Sequence, residues 1–279
     1  MNKIIIDNCV EEIERRIGEL SSIDRVLNII SLTDDPSAGL YMKRKVETGE
    51  KYNVPVVIHN PNSRIELQET VERLSLDDRN RIIIQKPFDE NKWGSLKSLH
   101  KMIPEHMDVD GFGFTMLDIV ETRGFEDMMN NPRFSPTAKG VLMIMNSLNG
   151  GEFRGNKVTV LGKGLTSGLP IGLMAAQLGC TVRWLNSGTK SEDMKRLVEF
   201  SEYVIGCTGK PNIINKDCCI NSSIGGKYIN VGMTKIDGKW YGDINFEEIQ
   251  SQLNTVFCNN LFGSTGKLTT LCLILNTLL

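Results

Sequence analysis

The chain has 279 residues, a formal net charge of −2, and 40% hydrophobic and 24% charged residues. That is the profile of a soluble globular protein long enough for two ordinary domains or one large one. The near-zero charge argues against a nucleic-acid binder, which would show a basic excess or stripe, and the apolar runs are too short to make a membrane span.

Residues 8–20 put Val10, Ile13, Ile17 and Leu20 on one face, with Asn8 and Glu11 placed as an N-cap and its partner, which predicts an amphipathic helix. The opening residues 1–7 are too short and too soon charged for a signal peptide. Residues 26–32 read as a strand, followed by a turn at Asp34-Asp35-Pro36 and a helix ending around Gly49. That helix carries Tyr41 and Lys45 four residues apart, hence on one face. A phenol beside an amine is a plausible catalytic pair, since either can carry a proton and each tunes the other. A solvated basic face gives the same pattern. Residues 54–58 form the next apolar run, and residues 64–76 carry Ile65, Val71 and Leu74 at helical spacing. Residues 81–85 are a third strand, stopped by Pro87. Strands rich in Ile and Val alternating with helices predict a parallel sheet covered on both sides.

A second alternating series begins at Pro136-Thr137, which opens a helix with Val141, Ile144, Met145 and Leu148 facing inward, ended by Asn149-Gly150-Gly151. Strands are expected at 157–161, 181–185, 203–206, 228–231 and 255–257, helices at 169–178 and 192–200, and a closing helix over 267–278. The boundary between the two series falls around residues 112–135. The seven cysteines are scattered with no C-x-x-C pair, and His59, His100 and His106 lack ligand spacing. Neither a disulfide framework nor a metal centre is expected, and a reducing cytoplasm fits.

The strand at 157–161 runs straight into Gly162-Lys163-Gly164-Leu165-Thr166-Ser167-Gly168, a G-x-G-x-x-x-G turn before a helix. Glycines let the backbone turn tightly and approach a pyrophosphate at the helix N-terminus. The strand–turn–helix setting is the one a dinucleotide site requires. An NAD enzyme usually ends the next strand with an acid for the ribose hydroxyl. Here Ser187 and Thr189 offer hydroxyls and Lys190 and Lys163 offer charge, which suits a 2′-phosphate, so NADP is favoured with NAD possible. An ordinary loop has the same composition.

At this point the order of motifs resembles the bifunctional methylenetetrahydrofolate dehydrogenase/methenyltetrahydrofolate cyclohydrolase family over nearly the whole length. The matching pieces are Tyr41 and Lys45 after Asp35-Pro36, Gln85-Lys86-Pro87 at a strand end, Asp108-Val109-Asp110-Gly111, Thr137 to Gly140, the ungapped loop from Gly162 to Pro170, and Tyr241-Gly242-Asp243-Ile244. The resemblance implies an α/β fold of two domains. One is an αβα catalytic, folate-binding domain over residues 1–130, joined by the C-terminal helix 267–279. The other is a Rossmann-type doubly wound parallel sheet over 131–266, facing the first across a cleft with Lys45 on its wall. It implies NADP-dependent oxidation of 5,10-methylenetetrahydrofolate and hydrolysis of the methenyl product to 10-formyltetrahydrofolate. Lys45 would be the general acid/base, Gln85 its neutral partner, Tyr41 a stacking and hydrogen-bonding group, and Asp110 the acceptor for the pterin edge. Gly263 would border the folate, and Gly162, Lys163, Gly164, Gly168 and Ser187 the cofactor. A homodimer is implied, with no nucleic acid, membrane or metal.

The chain departs from the family pattern in three places. Ala38 replaces a serine, Lys163-Gly164 replaces Arg-Ser, and residues 260–269 keep Gly263, Gly266 and Thr269 but lose the prolines. Lysine keeps charge but lacks the bidentate fork of arginine. Two other readings stay open: a different two-domain NAD(P)-dependent oxidoreductase of a hydroxy or amino acid, and a relative with one of the two folate activities.

Overall fold

The computed structural model describes residues 2–33, 35–113, 116–218, 226–249, 256–258 and 264–279. The elements in order are α1 (Asn2–Glu19), β1 (Val26–Ser31), α2 (Pro36–Lys51), β2 (Val56–His59), α3 (Arg64–Leu74) and β3 (Asn80–Gln85). Four short helices follow: α4 (Glu90–Trp93), α5 (Leu96–His100), α6 (Met116–Glu121) and α7 (Phe125–Asn130). Then come α8 (Pro136–Asn149), β4 (Lys157–Leu161), α9 (Gly168–Gln177), β5 (Thr181–Leu185), α10 (Ser191–Glu199) and β6 (Tyr203–Gly206). The chain continues through β7 (Lys227–Asn230), β8 (Met233–Ile236), β9 (Lys239–Gly242), α11 (Phe246–Ile249), β10 (Val256–Cys258) and α12 (Thr265–Leu278). Two compact units result. One comprises Glu12–Asp118, Met129–Pro136 and Thr270–Leu279; the other Met1–Glu11, Ile119–Met128 and Thr137–Thr269.

The first unit holds a parallel three-stranded sheet in the order β2-β1-β3. Leu27, Ile29 and Ile30 on β1 and Ile82, Ile83 and Ile84 on β3 are almost wholly buried, as expected where helices cover both faces. Each such side chain contributes about 1.5–3 kcal/mol of burial. One face packs Ile30, Ile82 and Ile84 against Leu67, Val71 and Leu74 of α3 together with Trp93, Leu99 and Met107. Helix α3 starts cleanly because the Ser63 hydroxyl accepts from the Glu66 amide at 3.2 Å while the Glu66 carboxylate accepts from the Asn62 amide at 2.8 Å. An isolated parallel bridge pairs Ile82 with Asp108, so the segment after α5 runs beside β3. The last helix belongs here from Thr270 on: the fully buried Asn276 amide donates to the carbonyls of Val109 at 3.0 Å and Phe134 at 2.9 Å.

The second unit is a parallel five-stranded sheet in the order β10-β7-β6-β4-β5. The order turns back at β4, with the next strand in sequence on one side and the one after on the other. That is the doubly wound arrangement, with its switch point between β4 and β6. The antiparallel hairpin β8–β9 follows β7. Its two-residue turn, Asp237-Gly238, has φ of 48° and 82°, the signature of a type I′ turn.

Four expectations need correction. Helix α1 begins at Asn2, so Asn8 is inside it and caps nothing. The reason is that Ile5, Ile6 and Cys9 extend the buried stripe of Val10, Ile13 and Ile17 upstream, and packing overrides the local cap signal. Ile65 is 73% exposed, and Leu67 fills the buried position on α3 instead. Leu148 and Leu20 are only partly buried. The β8–β9 hairpin went unread although Asp-Gly between apolar runs is a hairpin signal.

Candidate functional site

In the first unit three segments converge. Helix α2 carries Tyr41 and Lys45, β3 ends at Gln85, and the strand-like segment bridged to Ile82 delivers Asp110 two residues later. The Lys45 ammonium donates to Gln85 Oε1 at 2.8 Å, and the Gln85 amide is oriented by donating to the Lys86 carbonyl at 2.5 Å. Gln85 is buried; Lys45 and Asp110 are partly accessible. Loss of hydration lowers the Lys45 pKa below that of an ordinary lysine, against the nearby charge of Asp110, which works to raise it. Asp110 shows the mirror image. Desolvation raises its pKa, Lys45 lowers it, Asp108 raises it, and His100 and Lys86 lower it. Each member of the pair is therefore biased toward its neutral form. Tyr41 is 39% exposed, and partial burial raises its phenol above the usual value, with Arg44 opposing.

The loop that carries Asp110 is held from below. The buried Asp108 carboxylate accepts from the amides of Asp110 at 3.1 Å, Gly111 at 3.1 Å and Gly113 at 2.6 Å. His100 Nδ1 lies 3.5 Å from Asp108 Oδ2, and its ring sits 4.5 Å from that of Phe112. Burial pushes the Asp108 carboxyl up, but His100 and those amides outweigh it and hold it below the ordinary value. Gly111 has φ of 77°, and a Cβ there would come within 2.6 Å of the Ser135 amide. Asp108 and Asn276 are the support that sequence reasoning missed. Asp108 was visible as part of a motif, whereas Asn276 has no local signal, being 167 residues from its partner Val109.

In the second unit the glycine turn lies at the switch point. Gly162 has φ of 92°, and a Cβ on it would meet the Cys207 carbonyl oxygen at 2.7 Å. A Cβ on Gly168 would meet the Gly162 carbonyl oxygen at 2.1 Å. Gly164 has open space, and Ser167 makes no side-chain cap, so the first amides of α9 are not covered by one. This is a backbone cradle with a helix N-terminus behind it, and it fits a dinucleotide pyrophosphate. Lys163 within the turn and Ser187, two residues after β5, are both exposed. Residues 186–189 form a closed turn: Thr189 N–H donates to the Asn186 carbonyl at 3.0 Å, and the Thr189 hydroxyl accepts from the Asn186 amide at 3.0 Å. The Trp184 indole donates to the Gly168 carbonyl at 3.1 Å and lies where a Gly172 side chain would be. Gly263, expected beside the folate, lies outside the described residues.

Residues 135–279 match the family model of the tetrahydrofolate dehydrogenase/cyclohydrolase NAD(P)-binding domain. The chain is 26% identical over 276 residues to the bifunctional protein FolD of Macrococcus caseolyticus, covering 98% of this chain and 92% of that protein. The crystal structure of the bifunctional FolD methylenetetrahydrofolate dehydrogenase/cyclohydrolase of Campylobacter jejuni superposes with a TM-score of 0.82 at 23% identity, covering 99% of this chain and 95% of the other. That of Trypanosoma brucei methylenetetrahydrofolate dehydrogenase-cyclohydrolase, complexed with NADP cofactor and inhibitor, gives 0.77 at 22% identity, covering 99% and 93%. With a glycine cradle at the switch point of a doubly wound sheet, and a family match running from before α8 to the last residue, the chain belongs to the tetrahydrofolate dehydrogenase/cyclohydrolase family.

Proposed function

We propose that this chain oxidises 5,10-methylenetetrahydrofolate with NADP and hydrolyses the methenyl product to 10-formyltetrahydrofolate. The observation that carries the reading is the Lys45–Gln85 hydrogen bond of 2.8 Å in a setting that lowers the lysine pKa. An amine held by a neutral acceptor and partly desolvated loses its proton more readily than an ordinary lysine, and so can take a proton from water adding to the methenyl carbon. It then returns that proton as the ring opens. Tyr41, on the same face of α2 one turn earlier, offers a partly exposed ring for stacking. Asp110 offers a carboxylate to the paired donors of an aminopyrimidine edge.

We assign folate binding to the unit containing Glu12–Asp118 and dinucleotide binding to the unit containing Thr137–Thr269. Gly162, Gly164 and Gly168 would hold the pyrophosphate, with Lys163 and Ser187 at its border. A bound nicotinamide supplies the hydride acceptor. The absence of an acid at the end of β5, with Ser187, Thr189, Lys190 and Lys163 nearby, supports NADP over NAD. The same reading makes the chain a cytoplasmic homodimer. Exposed Val57 and Ile58 on the edge strand β2, and the thiols of Cys9, Cys180, Cys207 and Cys218, which form no disulfide, support it, and light scattering of the purified protein tests the dimer.

The test of the activity is Lys45→Met. Hydrolysis of methenyltetrahydrofolate, followed by its absorbance, is expected to fall by roughly a hundredfold to ten-thousandfold while dinucleotide binding is kept. Retained hydrolysis in this variant refutes the role of Lys45.

A further inference from the structure

One buried acid in the second unit takes no part in the site as described. Asp243 stands just after β9 and is fully buried. Its Oδ2 accepts from the Thr208 amide; Thr208 and the amides of Gly209 and Lys210 pull its pKa down, although burial raises it overall. Its own amide donates to Asn230 Oδ1 at 3.0 Å. Its Oδ1 is buried without a hydrogen bond in the described structure. An unpartnered acceptor is a cost to stability, so the carboxylate is not explained as a stabilising device.

The neighbourhood is cut to fit this side chain. A Cβ on Gly206 would come within 2.7 Å of Asp243 Cβ, and one on Gly232 within 2.5 Å of Oδ1. The hairpin that precedes Asp243 adds a second tie, for the Thr234 hydroxyl donates to the Gly209 carbonyl. Residues 207–210 are therefore fastened on one side to Asp243 and the hairpin. On the other side the Cys207 carbonyl presses against Gly162 of the glycine turn. This turn leaves the C-terminal end of β6, across the switch point from β5. In a doubly wound site the pyrophosphate sits on the glycine turn, and the residue at the end of the second strand, here β5, faces the adenosine ribose. The nicotinamide riboside half must then extend toward β6 and residues 207–210.

We propose that Asp243 is a positioning residue that sets the turn 207–210 as the wall against which the nicotinamide half of the cofactor binds. The inference rests on the dinucleotide part of the function proposed above. It assigns Asp243 no contact with the cofactor and no proton transfer.

The test uses the purified full chain, calorimetric titration, and two probes: the whole dinucleotide, and adenosine 2′,5′-bisphosphate, which carries only the adenosine half. In Asp243→Ala the affinity for NADP is expected to fall by roughly tenfold to a hundredfold, the size of a lost hydrogen bond to a charged group. Affinity for the bisphosphate is expected to change by less than about twofold, because that half binds away from the turn. Asp243→Asn, which keeps one acceptor for the Thr208 amide, is expected to fall between wild type and Ala. Equal loss of both probes means a merely structural role and overturns the proposal, as does an unchanged NADP affinity. If Asp243→Ala does not fold, Thr234→Val frees the same turn from the hairpin side. A loss of about twofold to fivefold confined to NADP supports the proposal, and no loss overturns it. Wild-type protein that binds NADP but converts no folate would overturn the proposed activity and leave this inference standing.

Discussion

The surroundings of Lys45 and the turn at Gly162 both lie at the ends of parallel strands, and they are built in opposite ways. Around Lys45 the polar atoms are side-chain atoms brought from α2, β3 and the segment after α5, and Lys45 and Asp110 each shift the other's protonation. At Gly162 the chain contributes backbone, brought close by leaving side chains out. The first place tolerates changes of volume better than changes of charge. The second tolerates changes of charge at its rim but not a methyl group added at Gly162 or Gly168. A substitution series that ignores this difference would misread both.

The largest expected effect tests the second half of that contrast. Gly168→Ala drives a Cβ to 2.1 Å from the Gly162 carbonyl, and backbone on both sides leaves no cheap relief. Dehydrogenase turnover is expected to fall at least about a hundredfold, since displacements near 1 Å carry that penalty. Hydrolysis of the methenyl compound, assigned above to Lys45, should survive. A matched loss of both activities would break the contrast.

The next prediction tests the first half through pH. On the role proposed for Lys45, hydrolysis needs it unprotonated, so the rate should rise as pH climbs through the lysine's pKa. Desolvation lowers that pKa and Asp110 raises it. Asp110→Asn removes the raising charge, so the rising limb should move to lower pH, measured at saturating folate. Gln85→Glu places a carboxylate where a neutral amide now accepts at 2.8 Å, so the limb should move to higher pH. Shifts of the same sign in both variants would sink the assignment of the limb to Lys45. The smallest effect is expected at Gly164, where an added Cβ meets nothing within 4 Å and no positive φ stands in the way. Gly164→Ala should change stability by no more than about 0.5 kcal/mol, read from chemical denaturation.

Strands β1, β3, β4 and β6 were readable because buried parallel strands are written as short apolar runs with sharp edges. The glycine turn was readable because its setting between a strand and a helix is local. Helix α1 was misplaced because its start is decided by burial of Ile5, Ile6 and Cys9 rather than by a cap. The partners of a side chain are harder still. That Tyr41 and Lys45 share a face follows from helix geometry, but the placing of Gln85 against Lys45 depends on a strand 40 residues away. The role of Asn276 depends on tertiary contacts that no spacing encodes, whereas Asp108 acts on amides two to five residues further on. Asp243 is the intermediate case: its motif is legible, yet only the hairpin and the missing side chains at Gly206 and Gly232 show what it is fitted to.

The bonds from Asn276 to Val109 and Phe134 carry a consequence for how the protein is made. Residues Glu12–Asp118 cannot complete their unit until Thr270–Leu279 have left the ribosome. The intervening Thr137–Thr269 takes on the order of ten seconds to synthesise at ~5–20 residues per second. Through that interval the strands that present Gln85 and Asp110 exist without their final helix. The unit holding Glu12–Asp118, translated before Thr137–Thr269, is thus the one that closes last.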